Sequence, residues 1–169
     1  GARRVIAEGM TPWIESSVTS IADVRALIGR LQRADMRALA VSDEMIAARE
    51  RLAAETGAHL VFEHSWTGPA TLACNILGTT NVCTFMMEET DVLAEFMTAL
   101  CAQYIAYREA IVTADNGCVD RSGIGLNDDC CYLFPPQLYE RMCAPFLQRF
   151  YAAFAPQPHH RRRQHSDSP

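Results

Sequence analysis

Apolar side chains recur every three or four positions in several segments of the chain, which is typical of helices with one buried face. Such a helix is predicted over residues 20–32, where a serine at the first position is suited to be the N-cap. A second helix is predicted over residues 44–56, with Ser42 or Asp43 as its cap. Gly57 follows it, at the position where a left-handed residue commonly ends a helix.

The longest periodic segment opens at Thr90 or Asp91 and continues for about six turns. A last helix is predicted to begin at Pro135 or Pro136, because proline is favoured in a first turn. The apolar stripes of these two helices are Leu93, Phe96, Met97, Leu100, Tyr104, Tyr107 and Ile111 in the first, and Leu138, Met142, Phe146 and Phe150 in the second.

Shorter apolar runs separate the helices. Residues 36–41 are compatible with an extended segment, and residues 58–64 are predicted to form a strand. A Gly-Pro pair at 68–69 breaks this strand and opens a short helix that stops at Gly78. Residues 122–126 are predicted to form a buried strand followed by three polar residues. Helices that alternate with strands favour an α/β fold with a parallel sheet.

Two or three strands are too few for a closed eight-stranded barrel, which takes about 250 residues. The pattern therefore leaves an open α/β unit or part of a larger fold as alternatives. Residues 1–155 form the predicted domain. The tail, residues 156–169, carries a His- and Arg-rich run between prolines and serines, and we expect it to be disordered, the alternative being an arm that binds a small anion or nucleic acid.

The formal net charge of −5 argues against nucleic acid as a partner. No apolar run approaches the roughly 20 residues that cross a bilayer. The N-terminus lacks the pattern of a secretory signal, so we expect a cytoplasmic protein without a membrane partner.

All 15 basic Lys+Arg positions are arginine, which excludes a Schiff-base or Walker A lysine within this chain. The 7 cysteines are irregularly spaced and include no CxxC pair. Buried, reduced thiols are therefore predicted, and no metal site. The methionines of the Met86–Met87 and Phe96–Met97 pairs are predicted to lie in the core.

Two motifs connect the chain to a known family. The first is TGPATLA at residues 67–73, between a strand and a helix and followed by Gly78. The second is the acidic pair Asp128–Asp129 followed by LFPPQLY at residues 133–139 and by APF at 144–146. In this order and spacing, around a long helix, the motifs resemble the middle of the uroporphyrinogen decarboxylase superfamily. The resemblance covers residues 55–153, and residues 13–55 more loosely.

This resemblance implies a (β/α)8 barrel of the TIM type, of which the chain would be a truncated part. It also implies a site at the carboxyl ends of the strands. The family's pocket tyrosine falls on Asn75 and its pocket serine on or near Asp129, and both differences put uroporphyrinogen specificity in doubt. The family's N-terminal arginine motif and pyrrole-binding aspartate have no match in residues 1–55, and its C-terminal histidine would follow the end of this chain. The resemblance implies two catalytic residues, Asp128 and Asp129. It also implies a set of substrate-binding residues: His64, Trp66, Gly68, Pro69, Asn75 and Tyr132.

The implied chemistry is decarboxylation of a tetrapyrrole side chain without a cofactor, in which a carboxylate stabilises the protonated pyrrole. Asp128 and Asp129 are adjacent on an extended segment, so at most one of them faces the pocket. Their alternative role is an Asx turn before the next helix. His64 is also interpretable as a structural histidine. Trp66 and Tyr132 would be walls of an apolar pocket.

Two other functions remain open. The superfamily includes corrinoid-dependent methyltransferases that use zinc, but the adjacent pair Cys130–Cys131 is poorly suited to bind one metal together. The chain could also be an inactive fragment. The expected partner is a small molecule, either a tetrapyrrole or a corrinoid-linked methyl group. Because an open barrel exposes sheet edges and apolar interior, we also expect the isolated chain to be poorly stable or to self-associate.

Overall fold

The structure is a computed structural model that describes residues 3–5, 13–62, 66–115 and 125–154, with side chains from residue 15 onward. The predicted tail, residues 156–169, lies outside this part. In chain order the described elements are β1 (Arg3–Val5), β2 (Trp13–Glu15), α1 (Ile21–Arg33), α2 (Met36–Ala40), α3 (Asp43–Thr56), β3 (Trp66–Thr67), α4 (Pro69–Leu77), α5 (Thr79–Glu88), α6 (Thr90–Ala114), β4 (Leu126–Asn127), a 3-10 turn (Cys131–Leu133) and α7 (Pro136–Phe154).

The described residues are mostly helical, and their strands are two or three residues long. Strands β1 and β2 form an antiparallel pair that the sequence did not indicate. Strands β3 and β4 pair in parallel, with Trp66 opposite Leu126 and Thr67 opposite Asn127. The predicted α/β character is therefore present as one short parallel pair within a helix-rich structure.

Local capping rules account for the helices that were predicted correctly. The Ser20 hydroxyl accepts the backbone N–H of Asp23 at the start of α1, and Ser42 does the same for Met45 in α3. Gly57 ends α3 with a left-handed φ of 66°. Helices α4, α6 and α7 also begin at or next to the predicted positions.

Two segments differ from the predictions. Residues 36–40 form helix α2 rather than an extended segment, because the Asp35 carboxylate accepts the N–H groups of Arg37 and Ala38 and starts a helical turn. The strand predicted over 58–64 is wrong for residues 58–62. There the N–H of Phe62 donates to the Asp115 carboxylate at 2.9 and 3.0 Å, so it is not available to a sheet. The described strand begins at Trp66.

Helix α5 was not predicted from the sequence. Gly78, with φ 86°, lies between α4 and α5 and lets the chain turn from one helix into the next. Of the predicted core pair on α5, Met86 is buried but Met87 is 76% exposed. The prediction is confirmed for Phe96 and Met97.

The core surrounds α6, which packs against α1, α2, α5 and α7. Its densest part is aromatic. The Phe150 ring lies 5.2 Å from Trp66, 5.6 Å from Tyr104 and 4.9 Å from Phe154, measured between centroids. These contacts attach α7 to both α6 and β3. Among the described helices, none is long and apolar enough to cross a bilayer.

We predict that Phe150→Ala lowers the free energy of unfolding by about 3–5 kcal/mol, because the ring is fully buried and the cavity cannot close easily. Gln148→Ala, at an exposed position of the same helix, should change it by less than about 0.5 kcal/mol. Urea denaturation followed by circular dichroism at 222 nm measures both values. Equal midpoints for the two variants would contradict the assignment of Phe150 to the core.

Candidate functional site

The carboxyl ends of β3 and β4 lie side by side and bring the two sequence motifs together. Beyond the paired residues, the N–H of Gly68 donates to the carbonyl of Asn127 at 2.8 Å. Gly68 and Pro69 then open helix α4, while Asp128 and Asp129 follow β4. The motif residues therefore meet at one edge of the parallel pair, where α/β proteins commonly place their sites.

Gly68 is required here for space. A Cβ at this position would lie 2.4 Å from Cβ and 2.5 Å from Cγ of Asp128. The φ of Gly68 is −75°, which any residue adopts, so backbone conformation does not select glycine. The close approach of Asp128 to the backbone does.

The Asp128 side chain caps helix α4 from another part of the chain. Its Oδ1 accepts the N–H of Thr71 at 2.8 Å, and the Thr71 hydroxyl in turn accepts the N–H of Cys130 at 3.0 Å. This reciprocal pair of hydrogen bonds resembles a capping box, but one bond joins residues 57 positions apart in the sequence and the other joins residues 59 positions apart. It fixes the loop after β4 against the first turn of α4.

Tyr139 on α7 completes this network by donating its hydroxyl to Oδ2 of Asp128 at 3.2 Å. Burial raises the pKa of the Tyr139 phenol above its ordinary value, and the negative charge of Asp128 raises it further. The phenol therefore stays protonated at neutral pH and remains a donor. Asp128 thus joins the end of β4, the start of α4 and the helix α7.

Thiols surround the same network. Burial, together with the neighbouring Cys130, raises the pKa of Cys74 to about 12. Burial, together with the negative charge of Asp128, raises the pKa of Cys143 to about 12. These thiols are protonated at neutral pH and act as small apolar side chains. Cys131 differs from them because it is exposed. No group of three or more His, Cys, Asp or Glu side chains within the described ranges is arranged to hold a metal ion.

The remaining candidate residues occupy different environments. Asp129 is exposed beside Asp128, Tyr132 is 79% exposed, and Asn75 is exposed on α4. Trp66 and Pro69 are buried. His64 lies outside the described residues. The exposed group and the buried group therefore differ in whether solvent, and hence a ligand, reaches their side chains.

Sequence reasoning missed a second network, beneath strand β3. The N–H of Thr67 donates to the hydroxyl of Tyr104 at 3.0 Å, and Arg108 donates to the same hydroxyl at 3.0 Å. The guanidinium carbon of Arg108 lies 4.7 Å from the centroid of the Trp66 ring. The spacing of Tyr104 and Arg108, one helical turn apart, was visible in the sequence. Their contact with β3 was not, because it depends on how α6 packs.

The chain matches the family described as uroporphyrinogen decarboxylase (URO-D) over residues 1–162. This match extends beyond the two motifs to both ends of the helix-rich region. The chain therefore belongs to the uroporphyrinogen decarboxylase family, and the predicted relationship is confirmed. Neither the curated proteins nor the solved structures compared with the chain gave a match.

We predict that Asp128→Ala lowers the free energy of unfolding by about 1–2 kcal/mol, since it removes a helix cap and leaves the Thr71 N–H and the Tyr139 hydroxyl without their acceptor. Asp128→Asn keeps one acceptor oxygen and should lose less. Asp129→Ala, next to it but exposed, is the matched control and should change stability by less than about 0.5 kcal/mol. Urea denaturation gives all three values, and an Asp129 effect as large as that of Asp128 would contradict the capping role.

A second prediction concerns Gly68. We expect Gly68→Ala to lower the free energy of unfolding by roughly 1–3 kcal/mol, because the new methyl group overlaps Cβ of Asp128. Combining it with Asp128→Gly, which removes that Cβ, should give a loss smaller than the sum of the two single losses. A double-mutant cycle by urea denaturation checks this, and strict additivity would show that the two positions do not collide.

Proposed function

We propose that this chain is part of a (β/α)8 barrel that decarboxylates a side chain of a tetrapyrrole. The observation that supports this most directly is the parallel pair β3–β4, whose adjacent carboxyl ends carry the Gly-Pro turn and the two aspartates. Parallel strands that follow each other in a sheet need a crossover through helices, and here α4, α5 and α6 provide it. A helical crossover between parallel strands is the kind of connection that a barrel repeats, and barrels place their sites at the carboxyl ends of the strands.

The reaction replaces a carboxylate by a proton. Protonation of the pyrrole ring makes it an electron sink; the bond between the side-chain methylene and its carboxylate then breaks, and its electron pair moves into the ring. CO2 leaves, the methylene carbon takes up a proton to become a methyl group, and the ring returns its proton. A carboxylate next to the cationic ring stabilises it and lowers the barrier.

We assign that carboxylate to Asp129. Both oxygens of Asp128 already accept hydrogen bonds, from Thr71 and Tyr139, whereas Asp129 is exposed at the same strand end. Asp128, Gly68, Pro69 and Trp66 are then positioning residues that hold the strand end in place. Asn75 and Tyr132 are exposed and are proposed to contact the substrate.

The proposed substrate is a small molecule, and the proposed reaction uses no cofactor. We propose residues 1–155 as the barrel-like domain. A cytoplasmic location and a separate role for residues 156–169 stay predictions.

We expect the 169-residue chain to convert uroporphyrinogen to less carboxylated porphyrinogens under anaerobic conditions, measured by chromatography of the oxidised porphyrins. Asp129→Asn should lower kcat roughly a hundredfold, because the charge beside the developing cation is lost. Glu95→Gln, which removes an exposed carboxylate on α6, is the control and should leave kcat unchanged.

Equal rates for Asp129→Asn and the unmodified chain would contradict the assignment of Asp129. A parallel assay with methylcobamide, a thiol acceptor and added zinc tests the second function of the superfamily. Methyl transfer without decarboxylation would replace the proposed reaction, and the absence of both activities from a folded chain would favour the inactive fragment.

A further inference from the structure

Two cysteines that are far apart in the sequence meet beside the Asp128 network. Cys74 lies in α4 and Cys130 in the loop after β4, and both pack in the same apolar cluster of the core. The Cys74 side chain is buried, whereas that of Cys130 is partly accessible to solvent. The Cys74 thiol donates a hydrogen bond to the sulfur of Cys130. The two sulfur atoms are therefore direct neighbours, which is the first requirement for a disulfide.

Backbone hydrogen bonds hold Cys130 against the face of α4 that carries Cys74. The N–H of Cys130 donates to the Thr71 hydroxyl at 3.0 Å, and Asp128 accepts the N–H of Thr71 at 2.8 Å. Thr71 and Cys74 are three positions apart in α4, so they lie on the same face of that helix. Because the backbones are already held together, the two sulfurs need only approach to the disulfide bond length of about 2 Å.

The neighbouring thiols fit this pairing less well. Cys131 follows Cys130 directly, but it is exposed at the start of the 3-10 turn. Cys83 and Cys143 are also near Cys74, but the hydrogen bond of the Cys74 thiol goes to Cys130. The contacts therefore select one pair from this group of thiols, with one member that solvent reaches and one that it does not.

We propose that Cys74 and Cys130 are a site of reversible oxidation, at which hydrogen peroxide converts the two thiols to a disulfide. The accessible Cys130 sulfur reacts first: it takes one oxygen from the peroxide and becomes a sulfenic acid, and one water leaves. The Cys74 sulfur then displaces the hydroxyl group, which leaves as a second water with the Cys74 proton. The thiols lose two electrons and two protons, and the peroxide is reduced to water. This bond joins α4 to the loop after β4, and its formation does not depend on the proposed reaction.

Treatment of the folded 169-residue chain with hydrogen peroxide tests this pair, followed by alkylation of the remaining thiols and mass spectrometry of a tryptic digest. Because trypsin cleaves after arginine here, Cys74 lies in the peptide of residues 52–108 and Cys130 in that of residues 122–141. We expect a disulfide between these two peptides, which dithiothreitol should break. Cys74→Ser and Cys130→Ser should each abolish this cross-link. Cys131→Ser, which removes the adjacent exposed thiol, is the matched control and should leave its yield unchanged.

Urea denaturation gives a second measurement, and circular dichroism at 222 nm verifies that each variant is folded. The disulfide closes a long loop of chain, so the oxidised protein should unfold at a urea midpoint roughly 1 M above that of the reduced protein. Cys130→Ser should lose this shift. A folded chain that forms no cross-link with peroxide overturns the proposal. So does a cross-link that persists in Cys130→Ser or disappears in Cys131→Ser, or a disulfide that lowers the midpoint, because it would not fit the folded geometry.

Discussion

The geometry of both strand ends depends on the hydrogen bonds that the Asp128 carboxylate accepts. This carboxylate accepts one hydrogen bond from Thr71 at the start of α4 and one from Tyr139 in α7. Gly68 provides the space that lets it come so close to the backbone. Because these partly buried hydrogen bonds share one carboxylate, the loss of one member loosens the others. The backbone of the loop after β4 is therefore held in one direction relative to the strand.

The helices could be predicted because their determinants are local. Ser20, Ser42 and Gly57 act within one turn of the residues they cap, so the sequence around them is sufficient. The strand before the Gly-Pro turn could not be placed in the same way. The N–H of Phe62 donates to Asp115, 53 residues away, and no local pattern reveals such a partner. The determinant of the short α2 is also local, because its N-cap Asp35 accepts the N–H groups of Arg37 and Ala38.

The candidate site was predictable to a similar extent. The motifs indicated that Gly68 and Asp128 belong to it, and both lie at the adjacent strand ends. What the sequence did not contain was the difference in environment between the two aspartates. Asp128 accepts the N–H of Thr71, 57 residues away, whereas Asp129 is exposed. An environment set by a distant partner requires the packed structure.

The aromatic contacts of α7 also affect how the chain folds while it is being made. Synthesis proceeds from the N-terminus, so α7 is the last of the described helices to leave the ribosome. Until it does, Trp66 and Tyr104 lack the rings of Phe150 and Phe154 that cover them in the finished structure. Until α7 emerges, the nascent chain therefore leaves the Trp66 and Tyr104 rings without this cover, at the stage when chaperones bind exposed apolar side chains.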